Sequence, residues 1–114
     1  MKRGEVWTAA GGQAYAGKPR PVVILQDDRF DATSSITVCP LTSDPTSARL
    51  FRVRIEPGLA NGLRKRSYAM TDKIATVPKT RVRDRLGRLD EADIVALNRA
   101  VFIFLGLGGS AESS

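Results

Sequence analysis

Only one stretch of this sequence carries a helical period, and it comes last. Ile94, Leu97, Val101, Phe104 and Leu105 recur at the spacing of one helix face. Asp90 stands ahead of them as an N-cap, with Asp93 as its acidic capping-box partner. Gly106, Gly108 and Gly109 end the segment. Phe102 and Ile103 widen the apolar surface beyond one stripe. Either the rest of the chain wraps that surface, or a second subunit covers it. Everything upstream is short apolar or alternating runs broken by Gly, Pro, Ser and Asp. The fold class is therefore mainly β (α+β): a small, curled, mostly antiparallel sheet or barrel with a C-terminal α-helix packed on it.

Glu5–Thr8 reads as a first strand. Ala9–Pro19, rich in glycine, reads as a mobile loop. Pro21–Leu25 is continuously apolar, the mark of a central strand buried on both faces. After a polar turn, Gln26–Ser34, the third strand is Ile36–Thr42. Leu50–Ile55 alternates, with Phe51, Val53 and Ile55 on one face and Arg52 and Arg54 on the other, a half-exposed strand with a basic outer face. Ser67–Thr71 and Lys73–Ala75 form a strand broken near Asp72, and Val82–Leu89 holds a last short strand around Leu86. No linker divides the chain, so residues 1–109 form a single domain and 110–114 a disordered tail.

Charge narrows the partners. The chain carries 18 Lys and Arg against 12 Asp and Glu, a formal charge of +6, which points to a polyanion: nucleic acid, an acidic protein segment, or both. One cysteine excludes an intrachain disulfide, and the absence of histidine excludes a Cys/His zinc site and the commonest general base. No cofactor or metal is expected. The N-terminus has no apolar signal core, and the longest apolar run, Ala100–Leu107, is too short to span a bilayer, so the reading is cytoplasmic with no membrane contact.

Several residues could carry chemistry. In Lys18-Pro19-Arg20-Pro21, Pro21 biases Arg20 to an extended backbone at the mouth of a buried strand, where a guanidinium can clamp a phosphate. A surface ion pair is the plainer reading. Thr42 and Ser43 offer donors where a strand runs into a loop; they also suit an ordinary turn. Asp72, beside Lys73, is either a base or an organiser of the sheet edge. Basic clusters at Arg49/Arg52/Arg54, Arg64/Lys65/Arg66 and Lys79–Arg88, with Tyr15, Phe30, Phe51 and Tyr68 among or near the polar segments, suit single-stranded RNA. Solvated charges with aromatics in the core are the alternative, and Phe51 reads as core. Cys39 and Trp7 read as packing residues.

The order of these segments is more specific than any one of them. Arg3-Gly4-Glu5-Val6-Trp7, a glycine-rich loop, Lys18–Ile24, Pro40-Leu41-Thr42-Ser43, Ser67–Ile74 and a terminal helix together resemble the MazF/PemK/Kid toxin family across Arg3–Leu107. The resemblance implies an SH3-like barrel working as a homodimer, and metal-independent, sequence-selective cleavage of single-stranded RNA by 2′-OH attack, leaving 2′,3′-cyclic phosphate and 5′-OH ends and arresting translation and growth. It implies catalytic roles for Arg20, Thr42 and Asp72, with Lys18, Ser43, Arg52, Arg54, Tyr68 and Lys73 on the RNA. It implies an antitoxin with an acidic C-terminal segment that folds on binding and displaces or orders the first loop. Two departures are that no histidine stands in that loop and that Met70 replaces an arginine found in some members; Arg20 then suits a charge clamp and proton donor, and Asp72 the base. The alternatives are a CcdB-like gyrase poison on the same fold, against which the Gly-Ser tail lacks a Trp-Gly-Ile ending, and a barrel that binds RNA without cutting it.

Overall fold

A computed structural model describes residues 1–10, 18–47 and 51–108. Seven strands precede one helix: β1 (Glu5–Ala10), β2 (Pro19–Ile24), β3 (Ser35–Thr42), β4 (Arg52–Ile55), β5 (Ser67–Met70), β6 (Ala75–Pro78), β7 (Val82–Arg88) and α1 (Glu91–Phe104). Their pairings are antiparallel, in the order β4-β5-β3-β2-β1-β7, with β6 on β3. β5 and β6 are in effect one strand along the same edge of β3, interrupted by a 3-10 turn at Thr71–Lys73. That is the break expected near Asp72.

β2 is buried on both faces, as its continuous apolar run requires. Val23 joins Val6, Cys39, Leu41, Ile55, Leu63, Ala69, Leu89 and Leu97 in a cluster on the α1 side. Val22 and Ile24 join Ala9, Ile36, Val38 and Val82 in a second cluster on the opposite face. Burying the larger aliphatic side chains of these clusters contributes about 1.5–3 kcal/mol each.

The strands do not close into a barrel by pairing. The two edges, β4 and β7, are bridged instead by the segment after β4. Ala60 O accepts from Arg88 N–H at 2.8 Å. Approach is closest at Gly62 and Gly87: a Cβ on Gly87 would stand 2.1 Å from Ala60 O, and one on Gly62 2.1 Å from Leu86 O, with Gly62 also at φ +71°. Buried Asn61 holds the crossing together, its Oδ1 accepting from Gly58 N–H and Leu63 N–H and its Nδ2 donating to Glu56 O.

The boundaries depart from the sequence reading in places. β1 runs on through Ala9 and Ala10, because β2 starts early, at Pro19, and pairs with it. Leu25 lies beyond β2, and the second strand of the Ser67–Ala75 pair starts at Ala75 and runs to Pro78. The helix follows its signals. Asp90 accepts from Asp93 N–H at 2.8 Å, and the end is a Schellman turn, Gly106 N–H to Ile103 O and Leu107 N–H to Phe102 O, with Gly106 at φ +74°. The sheet leaves Phe102, Ile103, Phe104, Leu105 and Leu107 exposed. Most of the expected mobile loop (11–17), Tyr15, Arg49, Leu50 and the expected tail (110–114) lie outside the described residues.

Candidate active site

Strand register assembles residues far apart in sequence. Val22 lies opposite Pro40, and Val23 opposite Cys39. That pairing ends at Val22 and Pro40, so Arg20 and Thr42 each stand two residues past it, at the same end of the β2–β3 pair. Thr42 is paired with Tyr68, Tyr68 with Arg54, and Arg20 with Ala9. Directly opposed residues share a face, so Arg54, Tyr68 and Thr42 form one row across β4, β5 and β3. Arg20 is exposed. Thr42 Oγ1 accepts from Asp44 N–H at 3.2 Å, and its own hydroxyl proton has no acceptor among the described residues. A cation and a free hydroxyl donor at the same strand end can hold a phosphoryl group and stabilise charge developing on it.

Of the two roles open to Asp72, its geometry suits the organiser of the sheet edge. The 3-10 turn aims it at Arg52, which donates Nε–H to Oδ1 at 3.0 Å and Nη2–H to Oδ2 at 2.9 Å. The Arg52 side chain is 8% exposed and that of Asp72 22%. The Arg52 hydrogen bonds outweigh burial and hold the Asp72 carboxyl below its usual range, while Arg52 is pushed up by the same contact. A carboxylate so held is a weak proton acceptor, which argues against Asp72 as the general base. Arg52, expected on the RNA, is committed to Asp72 and covered. Thr71 donates its hydroxyl to Phe51 O, tying the turn to the residue before β4.

Other expected contacts divide. Lys18, Ser43 and Lys73 are exposed. Arg54 is exposed but shares Glu56 with Arg66, at 3.4 and 2.9 Å. Tyr68 is buried, 7% exposed, so its ring packs in the sheet and offers no open face for base stacking. Phe51 stacks on Phe104 with centroids 5.5 Å apart. Cys39 is inert packing: burial, with the Asp72 charge adding, pushes its thiol up to about 12.

A feature the sequence reading left unassembled is a cavity of about 480 Å³ at the open end of the α1-side cluster. Thr8, Ser43 and Ser67 supply hydroxyls to it, Arg20, Arg64 and Lys65 cations. The signal was the Asn61-Gly62 turn running directly into a basic triplet, but only the crossing over Leu86 brings that triplet to the mouth of β2 and β3.

Residues 2–105 match the family model described as PemK-like, MazF-like toxin of type II toxin-antitoxin system. The chain is 54% identical to a probable endoribonuclease MazF of Mycolicibacterium smegmatis, over 96% of this chain and 100% of that protein. It is 31% identical to endoribonuclease MazF of Staphylococcus saprophyticus, over 94% and 92%. Among solved structures it resembles an endoribonuclease in complex with its cognate antitoxin from a mycobacterial species, with TM-score 0.79, 25% identity and coverage of 94% and 96%.

Proposed function

The chain belongs to the PemK-like, MazF-like toxin family of type II toxin–antitoxin systems, and from that premise we propose that it cuts single-stranded RNA at the strand end that carries Arg20 and Thr42. It is a MazF-type endoribonuclease toxin. The family match favours this over a gyrase poison. The observation that supports the site is the β2–β3 pairing, which brings two separate sequence signals to the same end of one strand pair.

In the proposed reaction the ribose 2′-OH attacks the adjacent phosphorus. The bond to the 5′-oxygen breaks, leaving a 2′,3′-cyclic phosphate and a 5′-OH; the 2′ proton passes to solvent water and the departing 5′-oxygen takes one up, so none is consumed overall. Arg20 binds the non-bridging oxygens, where charge accumulates, and supplies a proton-donating contact to the departing 5′-oxygen. Thr42 donates its hydroxyl to a phosphoryl oxygen. Donors fixed on strand ends need no reorganisation as the charge develops, and each is worth about 10²–10³ in rate. Asp72, paired with Arg52, fixes the turn that separates β5 from β6 rather than taking the 2′ proton. Lys18, Ser43 and Lys73 are exposed and suited to the RNA strand, which binds mainly through its phosphates.

The proposal extends to partners. The charge of +6 suits an acidic antitoxin segment as well as RNA. The exposed apolar end of α1 supports a homodimer. Among the described residues no helix is long and apolar enough to cross a membrane, and a toxin acting on RNA works in the cytoplasm.

The test is digestion of a mixed single-stranded RNA pool with EDTA present, comparing wild type with Arg20→Ala and Thr42→Val. Cuts at a short recurring motif, with 5′-OH and cyclic phosphate ends, that fade in both variants are expected. Intact RNA from a wild-type preparation that is toxic in cells would remove the proposal.

A further inference from the structure

The cavity beside Arg20 has a composition that selects its occupant. Its floor is apolar, from Leu41, Leu63 and Leu86, and its rim carries the Arg64 and Lys65 cations and the Ser43 hydroxyl. No carboxylate lines it among the described residues. Arg64 and Lys65 are exposed and make no ion pair among the described residues. In contrast, Arg29, Arg52, Arg54, Arg66 and Arg85 each face a carboxylate. Two unneutralised cations over an apolar floor attract a group that is anionic at one end and flat and weakly polar at the other. A nucleotide has that build, and 480 Å³ is within the range of small-molecule sites.

Position links the cavity to the reaction. Ser43 follows Thr42, so its side chain lies on the opposite face of the same strand end. Arg20 borders the cavity and stands, like Thr42, just past the end of the β2–β3 pairing. A strand held by its phosphate at Arg20 and Thr42 therefore has only to drape over the ends of β2 and β3 for the neighbouring nucleotide to reach the cavity.

We propose that this cavity is a nucleotide subsite of the substrate RNA: one base next to the cut seats on Leu41, Leu63 and Leu86, Ser43 reads its edge, and Arg64 and Lys65 hold its phosphate. The inference deepens the proposed nuclease function and rests on it. It makes Ser43 a specificity residue and adds Arg64 and Lys65 as binding residues. Its cradle depends on Gly62, since a side chain there would strike Leu86 and shift the loop carrying both cations.

The experiment uses the full chain and 2′-O-methyl single-stranded RNA, which lacks the attacking hydroxyl and reports binding alone. Three proteins are compared, all checked for an unchanged thermal midpoint: wild type, the double variant Arg64→Ala/Lys65→Ala, and Ser43→Trp, which fills the mouth from an exposed position. The double variant is expected to bind at least tenfold more weakly on every sequence, with a salt slope shallower by roughly 0.7 for each phosphate it no longer holds. Ser43→Trp is expected to slow cutting of unmodified RNA and to alter base preference in the residual cutting at a single position next to the cut. Unchanged affinity and salt slope in the double variant would overturn the subsite, as would a cut-site profile unaltered by Ser43→Trp. So would a double variant that binds RNA normally but no longer binds an acidic polyglutamate peptide, which would give the cavity to a protein ligand. A wild type that binds but never cuts unmodified RNA removes the nuclease reading itself, and is read separately.

Discussion

Replacing Gly87 with alanine tests how the sheet is held shut. The new Cβ would lie 2.1 Å from Ala60 O and 2.6 Å from the Asn61 carbonyl carbon, both backbone atoms. Carbon–oxygen contacts settle at about 3.3 Å or more, so the crossing segment must retreat by roughly 1 Å. Retreat breaks the Arg88 N–H bond to Ala60 O, worth ~1 kcal/mol. It also strains the buried Asn61 network, and overpacking of this kind costs ~1–3 kcal/mol. The expected total is about 3 kcal/mol, which corresponds to a fall in thermal midpoint of about 10 °C for a domain of this size. Gly58→Ala is the matched control: it lies on the same segment, has no positive φ, and its Cβ would meet nothing within 4 Å. That variant should be neutral or gain up to ~1 kcal/mol through the unfolded state. Urea and thermal unfolding at matched protein concentration give both values. If Gly87→Ala unfolds with Gly58→Ala, the β4 and β7 edges are not joined through this contact.

Three further outcomes are expected. Asp72→Asn removes the charge partner of a covered arginine and should lower stability by about 3 kcal/mol in urea unfolding, while the pH–rate profile of the residual cleavage keeps its shape; loss of an ionisation from that profile would return Asp72 to the role of base. Burial would raise the Glu5 carboxyl, but hydrogen bonds from Lys2 N–H, Trp7 Nε1–H and Arg85 prevail and lower it to about 2 from 4.5. The folded value is depressed, so its stabilisation is present above the unfolded value and fades as pH falls from 4.5 towards 2, amounting to roughly 3 kcal/mol; urea titrations of Glu5→Gln should lack that slope. Cys39, with its thiol pushed up to about 12, should resist iodoacetamide at about pH 8 in the native protein and react once the chain unfolds.

The sequence made the local elements legible where a single period dominated. The continuous run at Pro21–Leu25 meant burial on both faces, and β2 has it. The cap at Asp90 and the stop at Gly106 bound the helix because local backbone geometry sets both. Arg20 and Thr42 were visible one at a time, while their meeting at one end of the β2–β3 pair depends on register, which no local pattern encodes. The Arg52–Asp72 pair likewise depends on a contact that no local pattern encodes. Alternation placed Arg52 on an outer face, but the Thr71–Lys73 turn brings a carboxylate onto it and covers it. Tyr68 stood among charges in the sequence, yet its ring is buried within the sheet. Arg64 and Lys65 gave only a charge cluster, since the cavity they border exists only when Gly62 crosses Leu86.

The most direct measurement uses an RNA that wild type cuts once, prepared with a single 2′-deoxyribose on the 5′ side of the cut and assayed in EDTA. If the 2′-OH is the nucleophile and Arg20 with Thr42 stabilises the attacked phosphate, this RNA binds with unchanged affinity and stays whole, while its unmodified twin yields a 5′-OH end. Cleavage of the deoxy-substituted RNA at an undiminished rate would show that water attacks instead, and the proposed chemistry at this strand end would fall.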